Sequence, residues 1–406
     1  MSSITTPTPS RRRTKIFLLL ASACLSLAVA EAALRVAGVS YPNFYQPDAR
    51  RGWALYPGAE GWWRKEGLAY VRINSAGQRD DFEHPLTKAA GTLRIAVVGD
   101  SCVESLQVPL AQTFWKRLEG ELGPSAARAG RRVEVLDFGV SGYGTAQELL
   151  TLRDEVWKYA PDLVLLAFYT GNDVRNNYRP LEQDPARPYF ELDGDRLRLD
   201  DSFLSSSGYR LRRSAPARLL YAVFNHSRLL ELAKQGKSRL DDQVGAMKAR
   251  RVETGEALQE LGLDNAVYSP PAETNWREAW RVTEAILLAM RDEAAAHHVP
   301  WGVVTLSTGI QVHPDPAVRT AFMRRLGVDT LFYPDVRISA FGAAHGFPVL
   351  NLAQPLRRLA ERRRIFLHGF PNTAPGEGHW NSAGHRAAAA LIAAWLCRPG
   401  AVALPA

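Results

Sequence analysis

The chain has 406 residues, of which 46% are hydrophobic and 23% are charged. This length and composition are typical of one large folded domain or two ordinary ones, and they exclude disorder on a large scale. The formal net charge is +8, but no basic stripe interleaved with aromatic residues occurs, so a nucleic-acid partner is not expected. The three cysteines, Cys24, Cys102 and Cys397, indicate neither a disulfide framework nor a metal site.

The N-terminus has the pattern of an export segment. A basic cluster precedes residues 16–30, which are uncharged and mostly apolar. We therefore predict that residues 1–38 form an export signal or membrane anchor, with the basic flank in the cytoplasm and the rest of the chain on the periplasmic side. Small residues before Glu31 also fit a cleavage site, so secretion after cleavage near Ala30 is the alternative. Apolar residues continue past Glu31, which favours an uncleaved anchor.

An alternation of strands and helices begins at Leu93, after an irregular aromatic lead-in (39–92) that we expect to pack on the domain. Short runs rich in Val, Ile and Leu are typical of strands buried on both faces. The predicted strands are Arg94–Val98, Val133–Phe138, Leu163–Phe168, Trp301–Leu306 and Pro348–Leu352. The predicted helices are Thr113–Leu122, Ala146–Tyr159, Trp276–His297, Asp335–His345 and Gly384–Leu396. This alternation predicts an α/β fold with a mainly parallel, five-stranded sheet covered by helices on both faces.

Residues 179–268 interrupt that rhythm. They contain a predicted hairpin turn at 191–195 and two Arg-rich helical stretches, 218–234 and 241–261. A simple crossover does not need this length, so we interpret the stretch as an insertion, such as a cap, beside the functional site of the domain. A neutral surface elaboration is the alternative. The domain itself would then run over 93–397, followed by a tail, 398–406.

Three loops that follow predicted strands carry polar or glycine-rich chemistry. Ser101 follows the first strand in a Gly-Asp-Ser turn, Gly142 lies in a glycine-rich loop after the second strand, and Asn172 follows the third. The carboxyl ends of parallel strands meet at one edge of a sheet, where ligands bind in open α/β folds. The sequence therefore predicts that these three segments converge.

Such a set of groups fits acyl transfer. A serine hydroxyl needs a base, and His379, just before the last predicted helix, is the candidate. Glu377 lies two residues earlier and could orient the imidazole. The Ser101 and Gly142 N–H groups and the Asn172 side chain could form an oxyanion hole. His385 is a weaker candidate base, because its place at a helix start favours a structural role.

The order Ser101, Gly142, Asn172, His379 resembles the four blocks of the SGNH/GDSL hydrolases, over about 93–396. The anchor and aromatic lead-in resemble a bacterial, membrane-anchored branch of that family. The resemblance implies a three-layer, flavodoxin-like α/β/α fold, no cofactor, and hydrolysis or transfer of ester-linked acyl groups. Three departures stand out. Glu377 replaces the usual Asp, Ser105 stands where this branch often has Gly, and Gly171 directly precedes the Asn of its block.

The sequence thus predicts a serine ester hydrolase. In it, Ser101 attacks the acyl carbonyl, His379 accepts and returns the proton, and Glu377 orients the His379 ring. Its partners would be the membrane and an acyl ester, for which a cell-envelope glycan or lipid is a candidate. One alternative keeps the same site and passes the acyl group to a polysaccharide hydroxyl. Another is a catalytically inactive homologue that binds envelope glycan.

Overall fold

The computed structural model describes residues 9–194, 196–237, 264–400 and 402. The chain forms two compact units. The smaller one comprises Met1–Asn43 with Ser214–Gly255, and the larger one comprises Phe44–Arg213 with Glu256–Ala406. The predicted insertion is therefore divided between the two units. The predicted helical stretch 241–261 lies outside the described residues.

Eleven strands occur in the described ranges, and five of them form the central sheet of the larger unit. In chain order the strands are β1 Tyr45–Asp48, β2 Gly52–Leu55, β3 Glu60–Trp63, β4 Ala69–Arg72, β5 Thr92–Gly99, β6 Arg132–Gly139, β7 Leu163–Tyr169, β8 Tyr189–Asp193, β9 Arg196–Asp200, β10 Trp301–Leu306 and β11 Val349–Asn351. The central sheet has the order β11-β10-β7-β5-β6, and every neighbouring pair is parallel. The five predicted strands are these five, and the predicted fold class is confirmed.

The helices with the bounds given below are numbered α1 to α13. They are α1 Pro9–Val36, α2 Ser101–Glu104, α3 Phe114–Arg128, α4 Thr145–Asp154, α5 Asp173–Asn176, α6 Arg179–Glu182, α7 Ser207–Arg213, α8 Ala215–His226, α9 Thr274–Ala296, α10 Pro316–Leu326, α11 Tyr333–His345, α12 Ala353–Arg363 and α13 Ser382–Leu396. A further helical segment covers 228–237. The sequence did not predict α10 and α12, whose charged, Arg-rich faces obscure their apolar positions.

Alternation along β5 explains why the sheet has a core on each face. Ile95 and Val97 face one core, which also contains side chains of α3, α12 and α13. Ala96 and Val98 face the other, which contains side chains of α4, α9 and α11. Because β5 lies inside the sheet, both sets are fully buried, and each such Val or Ile contributes about 1.5–3 kcal/mol. The result is three layers, helix–sheet–helix.

The segment before β5 forms two antiparallel hairpins, β1–β2 and β3–β4. Leu55 and Val71 from these hairpins share a third apolar cluster with Leu106, Val140 and Tyr143. Those last three residues follow the carboxyl ends of β5 and β6. The lead-in is therefore placed over the sheet edge where the polar loops converge.

In the smaller unit, α1 contains a stretch, Arg12–Val36, that is long and apolar enough to cross a membrane by length and composition. A signal sequence near an N-terminus has the same properties. The apolar side chains of this stretch, Leu18 and Leu19 among them, are exposed.

Candidate active site

Ser101 stands at the edge of the sheet, where the sequence places it. It is the first residue of α2 and follows β5 after Asp100, whose carboxylate accepts a hydrogen bond from the Cys102 N–H at 2.9 Å. Gly99 is required here, since a Cβ at that position would collide with the Val103 side chain. The turn is therefore tight, and it leaves the Ser101 side chain half-buried.

Two further residues fit α2 against the sheet. A Cβ at Gly139, the last residue of β6, would collide with the Glu104 backbone. Ser105 ends α2 with a φ of +53°, a left-handed conformation that glycine adopts without strain. The Ser105 hydroxyl donates to the Cys102 carbonyl at 2.6 Å, which offsets part of that strain. The glycine preference expected at this position thus has a backbone cause.

His379 lies beside Ser101. The Ser101 hydroxyl donates to His379 Nε2 across 2.8 Å, and the His379 side chain is 27% exposed. Asn381 ends the loop, because its side chain accepts the Ala383 and Gly384 N–H groups and starts α13. Ser101 and His379 are 278 positions apart in the chain.

The carboxylate that orients His379 belongs to Glu66, in the loop between β3 and β4. Glu66 Oε2 accepts a hydrogen bond from His379 Nδ1 at 2.5 Å. Its second oxygen, Oε1, accepts from the His379 backbone N–H at 2.7 Å. Both carboxylate oxygens therefore hold the same residue, one the ring and one the main chain. This arrangement fixes Nδ1–H as the donor and leaves Nε2 free to accept from Ser101.

The structure therefore corrects the expected place of Glu377. Two residues with positive φ flank it, Gly376 at +85° and Gly378 at +71°, and the chain turns sharply there. Glu377 lines a cavity of about 540 Å³ together with His313 and Phe322. Proximity in sequence was misleading, because these bends separate the Glu377 side chain from that of His379.

Several contacts hold Glu66 in position. Asn372 joins the β3–β4 loop to the His379 loop, because its Oδ1 accepts from the Gly67 N–H at 2.9 Å and its Nδ2 donates to the Gly67 carbonyl at 3.1 Å. A Cβ at Gly378 would collide with Glu66 Oε1. Glycine at 378 therefore makes room for the carboxylate.

A second histidine supports the same loop. His368 Nδ1 donates to the Gly378 carbonyl at 2.6 Å. Its Nε2 accepts from the Ser307 hydroxyl at 3.1 Å, and that hydroxyl accepts from Trp380 Nε1 at 2.9 Å. Burial lowers the pKa of His368 to about 4, although the Gly378 carbonyl acts in the opposite direction. A neutral ring suits this chain of bonds, since one nitrogen donates and the other accepts.

The charges at the site favour an imidazole that readily becomes protonated. Burial lowers the pKa of His379, but the hydrogen bond and negative charge of Glu66 outweigh burial and raise it. Burial likewise raises the pKa of Glu66, while the bond and charge of His379 outweigh it, and the pKa is lowered. Glu66 is thus ionised at neutral pH and stabilises an imidazolium.

Gly142 and Asn172 lie in the loops that follow β6 and β7. Gly142 is exposed and has a φ of +79°. The Asn172 side chain forms a hydrogen bond with the Asp100 carboxylate, which is fully buried and whose pKa burial raises. The Asn172 side chain is thereby oriented by Asp100, the residue next to Ser101.

Neither a family model nor a curated protein sequence matches this chain at a significant level. Among solved structures, an acetyl xylan esterase, AlAXEase, is 10% identical with a TM-score of 0.36, over 74% of this chain and 97% of that one. LAE5, an alpha/beta hydrolase from the metagenome of Lake Arreo, is 14% identical with a TM-score of 0.35, over 76% and 96%. A GDSL-like lipase from Bacteroides thetaiotaomicron is 14% identical with a TM-score of 0.31, over 74% and 85%.

Cys102 and His385 also have side chains that could act as a nucleophile and a base, but neither is suited to replace Ser101 or His379. Cys102 is buried, and burial raises the pKa of its thiol well above the usual value, so it is no competitor of Ser101. His385 Nδ1 accepts from the Phe114 N–H at 3.2 Å, and its ring stacks on Phe114. Burial lowers the pKa of His385 well below 6.5. In the described ranges, no group of three His, Cys, Asp or Glu residues is placed to hold a metal ion.

Sequence reasoning missed Glu66, and it gave His368 a structural role only. Glu66 lies in a region with little periodicity, and the glycine after it is its most visible local signal, since it marks a tight turn. His368 precedes His379 by eleven positions without a motif. Long-range pairing brings Glu66 to the site, whereas His368 is held by a contact within the same loop region, to the Gly378 carbonyl.

Proposed function

We propose that this chain is a serine ester hydrolase in which Ser101, His379 and Glu66 act together. The observation that carries the proposal is the unbroken series of hydrogen bonds from the Ser101 hydroxyl through both ring nitrogens of His379 to Glu66. A serine at a sheet edge has many structural uses, but a base that is itself held by a partly buried carboxylate is the arrangement of an activated nucleophile.

In the first half of the reaction, Ser101 Oγ attacks the ester carbonyl while its proton passes to His379 Nε2. Glu66 stabilises the imidazolium that forms and remains ionised itself. His379 then returns the proton to the alcohol oxygen, the C–O bond breaks, and the acyl group stays on Ser101. The raised pKa of His379 supports its role as a base in this step.

The negative charge on the carbonyl oxygen requires donors. We assign these to the Ser101 N–H, the Gly142 N–H and the Asn172 amide. An amide nitrogen carries two N–H groups, so the bond to Asp100 can orient Asn172 Nδ2 and leave one N–H for the substrate. Donors of this kind each contribute about 2.7–4 kcal/mol to the transition state.

In the second half, a water gives its proton to His379 and attacks the acyl carbonyl. His379 then returns this proton to Ser101 Oγ as the bond between Oγ and the acyl carbon breaks, and the acid is released. A sugar hydroxyl in place of water would produce acyl transfer through the same groups. The larger unit would act outside the cytoplasm while α1 holds the chain in the membrane. The length and apolar character of Arg12–Val36 and the basic residues before it support this placement.

A fluorophosphonate probe and short p-nitrophenyl esters test the proposal. We expect the full-length protein to be labelled at Ser101, as located by peptide mass spectrometry, and to hydrolyse the esters. Ser101→Ala should abolish both activities. Cys102→Ala, a change at the neighbouring buried residue, should retain labelling. Absence of labelling in the wild type, or turnover that persists in Ser101→Ala, would overturn the assignment. Product analysis with a glycan acceptor present identifies which hydroxyl receives the acyl group.

A further inference from the structure

The helix α8 of the smaller unit exposes its apolar side. Leu219, Leu220 and Val223 are 67%, 57% and 47% exposed, and Pro216 is exposed as well. At about 100° per residue, these four positions fall within about 100° of one another on the helix. They form one continuous stripe, which we call the α8 stripe.

The half-buried side of α8 contains Tyr221 and Ala222 beside Asn225. Asn225 lies opposite the α8 stripe on the helix. Its Oδ1 accepts from the Asn43 N–H at 3.3 Å, and its Nδ2 donates to the Asn43 carbonyl at 3.2 Å. A surface helix in water normally has its polar residues outward and its apolar residues inward. The α8 stripe departs from this order, because its apolar side chains face outward.

The C-terminal end of α8 is tied to the last turns of α1. Arg35 Nη2 donates to the His226 carbonyl at 2.5 Å. Glu31 accepts from the N–H groups of Arg228 and Leu229 at 3.0 and 3.1 Å and so caps the helical segment 228–237. A link exists, therefore, between α8 and the end of the candidate membrane span.

This link sets the depth of α8 if α1 spans a bilayer. The uncharged residues 16–30 cover about 22 Å at 1.5 Å per residue, which is less than the ~30 Å of a hydrocarbon core. Charged side chains are costly inside that core, so the turns that contain Glu31 and Arg35, which directly follow this short stretch, fall at the membrane–water boundary. The end of α8 that they hold lies at the same level.

We propose that α8 lies in the interface of the lipid bilayer beside α1, with the α8 stripe buried among the acyl chains. An amphipathic helix with an exposed apolar face and a basic residue, here Arg218, on its other face has the character of an interfacial helix. This inference rests on the membrane span proposed above. It adds a second, non-spanning contact that fixes the smaller unit on the membrane surface.

Fluorescence quenching by nitroxide-labelled lipids tests this in the full-length protein, reconstituted in phosphatidylcholine and phosphatidylglycerol vesicles. With Cys24→Ser and Cys397→Ser as background, a dye is attached at Leu220→Cys or, as a matched control, at Arg218→Cys. Both positions are exposed and lie on nearly opposite sides of α8. We expect shallow nitroxides to quench the dye at 220 several-fold more strongly than the dye at 218.

A dye on native Cys24, with Cys397→Ser, reports separately on the span. If Cys24 is quenched by deep nitroxides while 220 and 218 are quenched equally, the span stands and the α8 proposal fails. If neither Cys24 nor 220 is quenched, both fail. If the dye at 220 is shielded only at high protein density and is insensitive to nitroxide lipids, a second copy covers the stripe and the proposal is overturned.

A variant provides an independent check. Leu219→Glu places a charge in the α8 stripe at a side chain that is already exposed, so folding should be unaffected. Quenching at 220 should then fall to the level at 218, while quenching at Cys24 remains. Unchanged quenching at 220 would contradict insertion of the stripe.

Discussion

Glu66 binds both the ring and the main chain of His379, so it fixes the position of the base as well as its tautomer. The carboxylate reaches across from a separate hairpin, and the His379 N–H and Nδ1 are the two donors that receive it. An acid two residues before the base cannot easily make both bonds, since the chain between them must turn back. The two glycines around Glu377 instead direct it toward His313 and Phe322.

Substitution of the two glutamates separates their roles. Glu66→Gln removes the charge that stabilises the imidazolium and favours the wrong tautomer, so kcat should fall by about 10²–10⁴-fold. Glu377→Gln is the matched control and should retain kcat within about threefold, because it leaves the hydrogen bonds among Ser101, His379 and Glu66 intact. Steady-state ester hydrolysis with both variants measures this. Equal losses in the two variants would contradict the role given to Glu66.

The contact between His379 and Glu66 predicts how activity depends on pH. His379 must be neutral to accept the Ser101 proton, and Glu66 raises its pKa above 6.5. The acid limb of kcat/KM should therefore lie above pH 6.5 in the wild type. In Glu66→Gln, where the charge is absent, residual activity should show that limb at lower pH. A limb at the same pH in both proteins would show that Glu66 does not set the His379 pKa.

Among the elements, the β3–β4 hairpin and the loop before α13 act as one assembly. Asn372 ties one to the other, and His368 holds the Gly378 carbonyl from behind. Neither element belongs to the central sheet. The sheet places Ser101, while these two segments place His379 and Glu66.

Gly378→Ala tests this assembly. A Cβ there meets Glu66 Oε1, whereas at Gly327, which has a similar φ of +67°, a Cβ meets open space. Both substitutions should cost about 1–2 kcal/mol of backbone strain, measured by denaturant unfolding. Gly378→Ala should also lose about 10²-fold in kcat through displacement of the acid, while Gly327→Ala should not. Full activity in Gly378→Ala would show that Glu66 tolerates displacement.

At the scale of the whole molecule, the sheet could be predicted because its strands are buried on both faces and are therefore uniformly apolar. Ser101 and His379 could also be placed, since strand ends converge at one edge and the last helix has a clear start. Glu66 could not, because its β3–β4 hairpin is short and has no periodic signal. Its position depends on pairing with a loop some 300 residues away, which local sequence does not encode.

The lead-in that carries Glu66 is joined to the sheet by a buried charged group. His84 Nδ1 donates to Glu134 of β6 at 2.7 Å, and Nε2 donates to Asp80 at 3.1 Å. Arg94 also binds Glu134, and Lys116 binds Asp80. Burial lowers the pKa of His84, but the hydrogen bonds and charges of the two carboxylates outweigh it and raise the pKa to about 9.

This raised pKa predicts how stability depends on pH. The folded state binds the His84 proton more tightly than the unfolded state, so the stabilisation is complete below about pH 6.5 and is lost as the pH rises through about 9. The difference in unfolding free energy between wild type and His84→Gln should accordingly be largest near pH 6 and should shrink by pH 9.5. Denaturant titrations followed by tryptophan fluorescence measure it, and a difference independent of pH would contradict the prediction.

The position of Glu66 has a practical consequence for anyone who shortens the gene. A fragment cut to the alternating strands and helices, from Leu93 onward, would keep the serine, the histidine and the whole sheet, yet it would lack the acid. Such a fragment would give a misleadingly inert protein. Conversely, during synthesis Glu66 leaves the ribosome 313 positions ahead of His379, so the contact between them forms only after that whole intervening stretch has been made.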